Sequence, residues 1–213
     1  MRILVTGGAG YVGSHTVRAL VAGGFDALVF DDLSKGHAQA VPDGRLVRGS
    51  LLDRPRLARL LDAHPVEAVL HFAAHCSVGE SVADPRKYYH DNLTGAQHLL
   101  EEMLERRIRY LVFSSTCATY GLPLSLPLRE DHPQVPINPY GETKLVIEKM
   151  LRAYDAAYGL RSVCLRYFNA AGADPGGGLG EKHAPETHLI PLLLDAACDP
   201  ARTVALFGDS YPT

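Results

Sequence analysis

The chain has 213 residues, 46% of them hydrophobic, and a formal net charge of −3 at pH 7. That length and apolar content fit one large globular domain, or one domain and part of a second. Mild acidity, no Lys/Arg-rich run and no apolar stretch of membrane-span length exclude nucleic acid and membrane as main partners.

Taken in chain order, short apolar runs alternate with helical patterns. Ile3-Leu4-Val5 reads as a strand, and residues 11–22 as a helix with a stripe at Val12, Thr16, Ala19 and Leu20. Residues 27–30 form a second strand, 46–47 a weak third, 53–63 a helix and 68–70 a fourth strand. A long helix is expected over 85–107, its charges (Glu101, Glu102, Glu105, Arg106, Arg107) forming a solvated face. Residues 110–113 read as a fifth strand, 144–158 lie in a helix that opens near Tyr140, and 162–165 are a sixth strand. After Asn169 the composition turns to Gly, Ala, Pro and acidic residues, so 170–188 are expected as a loop, followed by a helix at 189–197 and a strand at 204–207.

Nearly all-apolar strands separated by helices imply a parallel sheet covered on both faces. The repeated βα order implies an α/β, doubly wound, Rossmann-like fold. A boundary after residue 168 separates a dinucleotide-binding domain (1–168) from the start of a substrate-binding region (169–213). A first strand so close to Met1 leaves no room for a signal or transit peptide. Four widely spaced cysteines with no C-x-x-C pair are expected as reduced thiols in the cytoplasm. His71, His75 and Cys76 are the nearest approach to a metal cluster, but no paired ligand spacing exists and no metal is expected.

Residues 6–13, Thr-Gly-Gly-Ala-Gly-Tyr-Val-Gly, follow the first strand and open the first helix. Gly7, Gly10 and Gly13 form G-x-x-G-x-x-G, while Gly8, Gly10 and Gly13 also satisfy G-x-G-x-x-G. Glycine is required where a turn is tight, where backbone approaches a pyrophosphate, and where helix and strand pack closely. The helix N-terminus then offers N–H groups and a positive dipole end to phosphates. Asp31 ends the second strand at the distance expected of a ribose-binding carboxylate, which selects NAD over NADP; Lys35 is the counter-signal. Tyr140 and Lys144, four residues apart, share a helix face. Such a pair occurs by chance on solvated helices, yet an ammonium beside a phenol also favours the phenolate.

Together these segments resemble the extended short-chain dehydrogenase/reductase family. The resemblance rests on residues 6–13, 71–74 (His-Phe-Ala-Ala), 78–81 (Val-Gly-Glu-Ser), Asp91-Asn92, 114–121 (Ser-Ser-Thr-Cys-Ala-Thr-Tyr-Gly), Pro139-Tyr140-Gly141 with Lys144, and 165–169 (Leu-Arg-Tyr-Phe-Asn). Residues 185–191 and 207–213 add to it. It implies interconversion of UDP-glucose and UDP-galactose by transient NAD-dependent oxidation at C4 of the sugar. Tyr140 then matches the catalytic tyrosine, Lys144 the lysine that binds the nicotinamide ribose and lowers the tyrosine's pKa, and Thr116 the hydroxyl partner of the reacting sugar oxygen. The cofactor contacts implied are Gly7, Gly10, Tyr11, Val12, Gly13, Asp31, Ser50, Leu51, Phe72, Ala73, Ala74, Asn92, Ser114, Tyr140, Lys144 and Tyr167. The UDP-sugar falls to Thr116, Tyr140, Asn169, His188, Leu189 and Phe207, although Leu189 and Phe207 are equally plausible in a core.

Ser50 stands where many relatives carry an adenine-contacting aspartate, with Asp53 three residues on, and Cys76 stands where some carry a lysine. The resemblance also implies a homodimer paired through helices near 85–107 and 140–158, and a substrate region that continues past Thr213. A 4,6-dehydratase would follow its threonine with Asp-Glu, whereas Thr116 is followed by Cys117-Ala118. A 4-epimerase of a UDP-pentose or UDP-hexuronate, an NAD-dependent alcohol dehydrogenase and a non-catalytic NAD-binding module remain as alternatives.

Overall fold

The computed structural model describes residues 1–206, 208 and 210, which form two compact units, 1–170 and 171–213. The first unit carries six strands: β1 (Arg2–Thr6), β2 (Asp26–Asp31), β3 (Leu46–Arg48), β4 (Ala68–His71), β5 (Tyr110–Ser114) and β6 (Arg161–Leu165). All pair in parallel in the order β3-β2-β1-β4-β5-β6. This is the doubly wound fold that the alternation implied. Strand order reverses between β1 and β4, and the crevice beyond the carboxyl ends of these two strands is where such sheets bind ligands.

Alternate strand residues serve opposite faces. Leu4, Leu28 and Phe30 join a core with Leu57, Leu60 and Leu61 of α2 (Arg54–Ala63), Leu99, Leu100 and Met103 of α5 (Gly95–Glu105), and Ile147 and Leu151 of α6 (Pro139–Tyr158). Ile3, Val5, Ala27 and Val29 face α1 (Tyr11–Ala22) through Val17. The second face is covered unevenly: on β6, Val163 stays 55% exposed and Leu165 37%.

Several expectations need correction. The buried face of α1 is Gly13, Ser14 and Val17, while Ala19 is exposed. Gly13 is drawn against the Gly7–Gly8 turn, and that close approach rotates the helix away from the apolar stripe. The run from residue 85 is helical to 105 but changes pitch: α4 (Pro85–Tyr88) passes through a π-helical stretch (Tyr89–Thr94) into α5, and the short α3 (Val78–Ala83) precedes it. Glu102 is no part of a solvated face. It is buried, accepting from Arg54 Nε at 2.6 Å and Arg106 Nη1 at 2.5 Å, and so ties α2 to α5.

The second unit is a loop followed by α7 (Leu189–Cys198). Residues 204–206 form no strand, and Phe207 lies outside the described residues. Among the described residues no helix is long and apolar enough to cross a membrane.

Candidate active site

The crevice is shaped on its β1 side by backbone. Gly7 has φ +72°, and a Cβ there would meet the Ala73 Cα and Phe72 carbonyl carbon at 2.7 Å. Ala73 and Phe72 in turn donate their N–H groups to the Thr6 carbonyl, at 3.1 and 2.9 Å. A Cβ on Gly13 would meet the Gly8 Cα at 2.9 Å and approach the Gly7 carbonyl oxygen more closely still. Only glycine allows the two strand exits and the helix start to come so near. The α1 N-terminus carries neither a side-chain cap nor an acidic residue in its first turn. It therefore presents the helix dipole at Gly10, Tyr11 and Val12 to whatever anion enters.

Asp31 closes this side. Its Oδ2 accepts the Ala9 N–H at 3.0 Å and its Oδ1 the Leu33 N–H at 2.9 Å. Burial raises its pKa, against the pull of those two bonds. Each carboxylate oxygen keeps a second lone pair, so Asp31 can still accept from two vicinal hydroxyls. Ser50 sits in the turn after β3, its Oγ accepting the Leu52 N–H at 3.2 Å. The Leu51 side chain is in the core. Asp53 caps α2 through the Arg56 N–H at 3.0 Å, which explains its position by helix start chemistry.

On the β4–β5 side the shaping groups are buried side chains. Asn138 caps α6, its Oδ1 accepting the Gly141 N–H at 2.8 Å, and Pro139 occupies the first turn. Tyr140 is thereby fixed at the helix start, one turn before Lys144. Thr116 lies close enough for its hydroxyl to lower the pKa of the phenol. Thr116 is 7% exposed and opens a 3-10 turn (Cys117–Thr119), its Oγ1 accepting the Ala118 N–H at 3.1 Å. Lys144 is 2% exposed; its Nζ donates to the Ser114 carbonyl at 2.8 Å and lies 5.9 Å from the Tyr140 ring centroid.

The electrostatics differ from the simple expectation for this pair. Burial pushes Tyr140 up to about 12, with the neighbouring Cys76 acting in the same direction and the Thr116 hydroxyl against it. Burial lowers Lys144 to about 8. Lys144 directs its ammonium at a backbone carbonyl, and desolvation is the main influence on the phenol. The structure thus assembles the pair without yet producing a phenolate near neutral pH.

The remaining expected residues are distributed around these centres. Asn92 is 3% exposed and binds protein on both ends: Oδ1 accepts the His75 N–H at 2.9 Å, while Nδ2 donates to the His75 carbonyl at 3.1 Å and to Thr143 Oγ1 at 3.4 Å. It thereby sets the loop holding Ala74. The Tyr167 carbonyl accepts the Cys117 N–H at 2.8 Å. Asn169, at the end of the first unit, is exposed.

In the second unit, His188 precedes α7 and Leu189 is 61% exposed at its first position. His188 contacts Glu181, and with His183 and Glu186 these residues form a local imidazole–carboxylate group, its ligand-type atoms within 4.8 Å of one another. It draws in neither His71, His75 nor Cys76.

Two buried groups stand outside the expected site residues, His71, which the sequence offered only as a weak metal candidate and a motif residue, and Glu148. His71 is 3% exposed, shares a 2.8 Å hydrogen bond with Thr6 Oγ1 and stacks on Phe113; burial lowers its pKa to about 3, and Lys144 acts in the same direction. Glu148 is buried one turn beyond Lys144. Its signal was available as a lone carboxylate among Leu145, Ile147 and Leu151, a position that demands partners when it turns inward.

Residues 3–213 match the NAD dependent epimerase/dehydratase family. A UDP-glucose 4-epimerase of Halalkalibacterium halodurans is 53% identical over 213 residues, which is 100% of this chain and 64% of that protein. The crystal structure of UDP-glucose 4-epimerase from Brucella ovis in complex with NAD is 51% identical, with a TM-score of 0.96 over 100% of this chain and 65% of that one. The Bifidobacterium longum UDP-glucose 4-epimerase in complex with NAD+ and UDP is 33% identical, with a TM-score of 0.93 over 100% of this chain and 67% of that one. The chain therefore spans just under two thirds of the length of the first two.

Proposed function

The chain belongs to the NAD dependent epimerase/dehydratase family, and from that premise we propose that it provides the cofactor and acid–base machinery of a UDP-glucose 4-epimerase. The observation that carries this reading is the Tyr140 phenol with the Thr116 hydroxyl and the buried Lys144 close beside it, in a chain that also carries a glycine-built crevice. NAD fits that crevice: the uncapped α1 N-terminus suits a pyrophosphate, and Asp31 retains lone pairs for the adenosine ribose and repels a 2′-phosphate. When bound, NAD would supply the reversible hydride acceptor for C4 of the sugar and a positively charged ring.

Tyr140 accepts the 4-hydroxyl proton as C4 becomes a ketone and gives it back when the opposite face of C4 is reduced. Thr116 donates to the same oxygen and keeps it in line with the phenol. Lys144 holds the nicotinamide ribose, and its charge joins that of the cofactor in drawing Tyr140 down from about 12 toward the working range. Asn169, His188, Leu189 and Phe207 are the proposed UDP-sugar contacts, on the family resemblance. Cys117 and Ala118 follow Thr116 and offer no carboxylic acid, which favours epimerisation over loss of water.

The same reading takes the protein as a cytoplasmic homodimer, paired through residues 85–107 and α6. Its four cysteines are free, in keeping with a reducing compartment.

Tyr140→Phe is expected to lower UDP-glucose/UDP-galactose interconversion by about 10³-fold or more while NAD stays bound. Substantial residual turnover would sink the assignment of Tyr140. Retained NAD without turnover of any UDP-sugar by the unaltered chain would replace the whole reading with a non-catalytic NAD-binding module.

A further inference from the structure

Glu148 takes no part in the proton transfers above, yet it lies one helical turn beyond Lys144 with 1% of its surface exposed. A carboxylate so far from water is tolerated only when its lone pairs are met. Here they are. Oε1 accepts from Ser115 Oγ at 2.5 Å and from Arg166 Nε at 3.0 Å. Oε2 accepts from Arg166 Nη2 at 2.7 Å and Gln134 Nε2 at 2.9 Å. Burial alone would raise this carboxyl; the bonds from Arg166, Ser115 and Gln134 outweigh it and hold the group below its usual range.

The partners matter more than their number. Arg166, just past β6, uses its planar fork on both carboxylate oxygens. Its Nη1 reaches the Tyr120 hydroxyl at 2.7 Å and the Glu130 carbonyl at 3.3 Å, and its guanidinium lies 5.0 Å from the Tyr120 ring centroid. Tyr120 follows the 3-10 turn that Thr116 opens, and Ser115 immediately precedes Thr116. The segment bearing Thr116 is therefore held on both sides, at Ser115 by Glu148 on the helix that bears Tyr140 and at Tyr120 by Arg166, which Glu148 pairs. A pair serving stability alone gains little over apolar packing of the same volume. A bidentate pair with two further bonds fixes direction and distance.

We propose that Glu148, gripped by Arg166, is a positioning residue: it ties Ser115 to α6 and so holds the Thr116 hydroxyl in hydrogen-bonding reach of the Tyr140 phenol. The inference rests on the reading of Tyr140 and Thr116 as the acid–base pair, and it adds the element that keeps them together.

The test uses the 213-residue chain labelled with 13Cζ-tyrosine, the Tyr140 resonance being assigned by its loss in Tyr140→Phe. Thr116→Val removes the hydroxyl that lowers the phenol's pKa and displaces that resonance. Glu148→Gln should displace it in the same direction, and should add nothing in the Thr116→Val background, because both changes break the same contact. Turnover of UDP-glucose should follow suit: an about ten-fold lower kcat with KM held within about twofold, and no further loss in the Thr116→Val background.

Ser115→Ala severs only the link, leaving Glu148 and Arg166 paired, and should reproduce both effects if Glu148→Gln fails to fold. An unmoved Tyr140 resonance, or displacements that simply add, would overturn the proposal. Absence of turnover in the unaltered chain would remove the epimerase reading while the resonance still decides this one.

Discussion

On the β1 side of the crevice the shaping groups are backbone atoms, brought together within a few residues of one another. On the β5 side they are buried side chains from positions as distant as Ser115, Glu148 and Arg166. The first side tolerates almost no added atom, and its buried charge is the Asp31 carboxylate. The second is sensitive to pH, because Lys144, His71 and Glu148 are all ionisable groups taken out of water. Steric closeness governs one half of the site and desolvated electrostatics the other.

The largest effect should come from overfilling the backbone side. Gly13→Ala places a Cβ at 2.9 Å from the Gly8 Cα, and closer to the Gly7 carbonyl oxygen, with no flexible side chain to yield. A loss of about 3 kcal/mol is expected, at the upper end of overpacking effects, read by urea denaturation, together with loss of retained NAD. A change below about 0.5 kcal/mol would show that the turn can relax and would weaken the contrast.

Acid should act on the other half. His71 has a folded-state pKa of about 3 against an ordinary 6.5, so the unfolded chain takes up a proton that the native imidazole refuses. Its contribution is intact above pH 6.5 and is lost as pH falls toward 3, by about 2 kcal/mol at pH 5. His71→Gln should flatten the dependence of unfolding free energy on pH across that window. Equal slopes for the two proteins would mean that His71 takes up its proton in the folded state too.

A comparable effect of the same sign, in a more alkaline window, is expected at Lys144. Its pKa falls from 10.5 to about 8 on folding, so the native state disfavours the charged form that prevails below pH 8. Lys144→Met removes that desolvation cost, about 3 kcal/mol, and gives up one hydrogen bond to the Ser114 carbonyl, about 1 kcal/mol. The variant should therefore be about 2 kcal/mol more stable at pH 7, an advantage that shrinks as pH rises from 8 to 10.5. Its epimerase turnover should collapse. A destabilised variant at pH 7 would show that the ammonium's bond outweighs its burial.

The contrast also explains what could be read from the chain. The glycine turn, Asp31 and the order of strands and helices follow from local spacing, because tight turns, helix starts and two-sided strands constrain residues close in sequence. Tyr140 and Lys144 were legible as a pair on one helix face, whereas the Asn138 cap that sets them came from the structure. The stripe on α1 was misjudged because an apolar count leaves out Gly13, whose close approach to the turn helps set the helix's buried face. Glu102 was misjudged because Arg54, its partner, lies on another helix.

The sequence alone therefore determined the parallel α/β sheet and the glycine turn that follows its first strand. The tertiary structure decided the state of the site's side chains. Burial, not the Tyr140–Lys144 spacing, sets the pKa of each, and the Ser115–Glu148–Arg166 grip exists only where three distant segments meet. Spacing fixes neighbours along a helix, whereas desolvation depends on everything packed around a group, and that is settled only when the chain has folded.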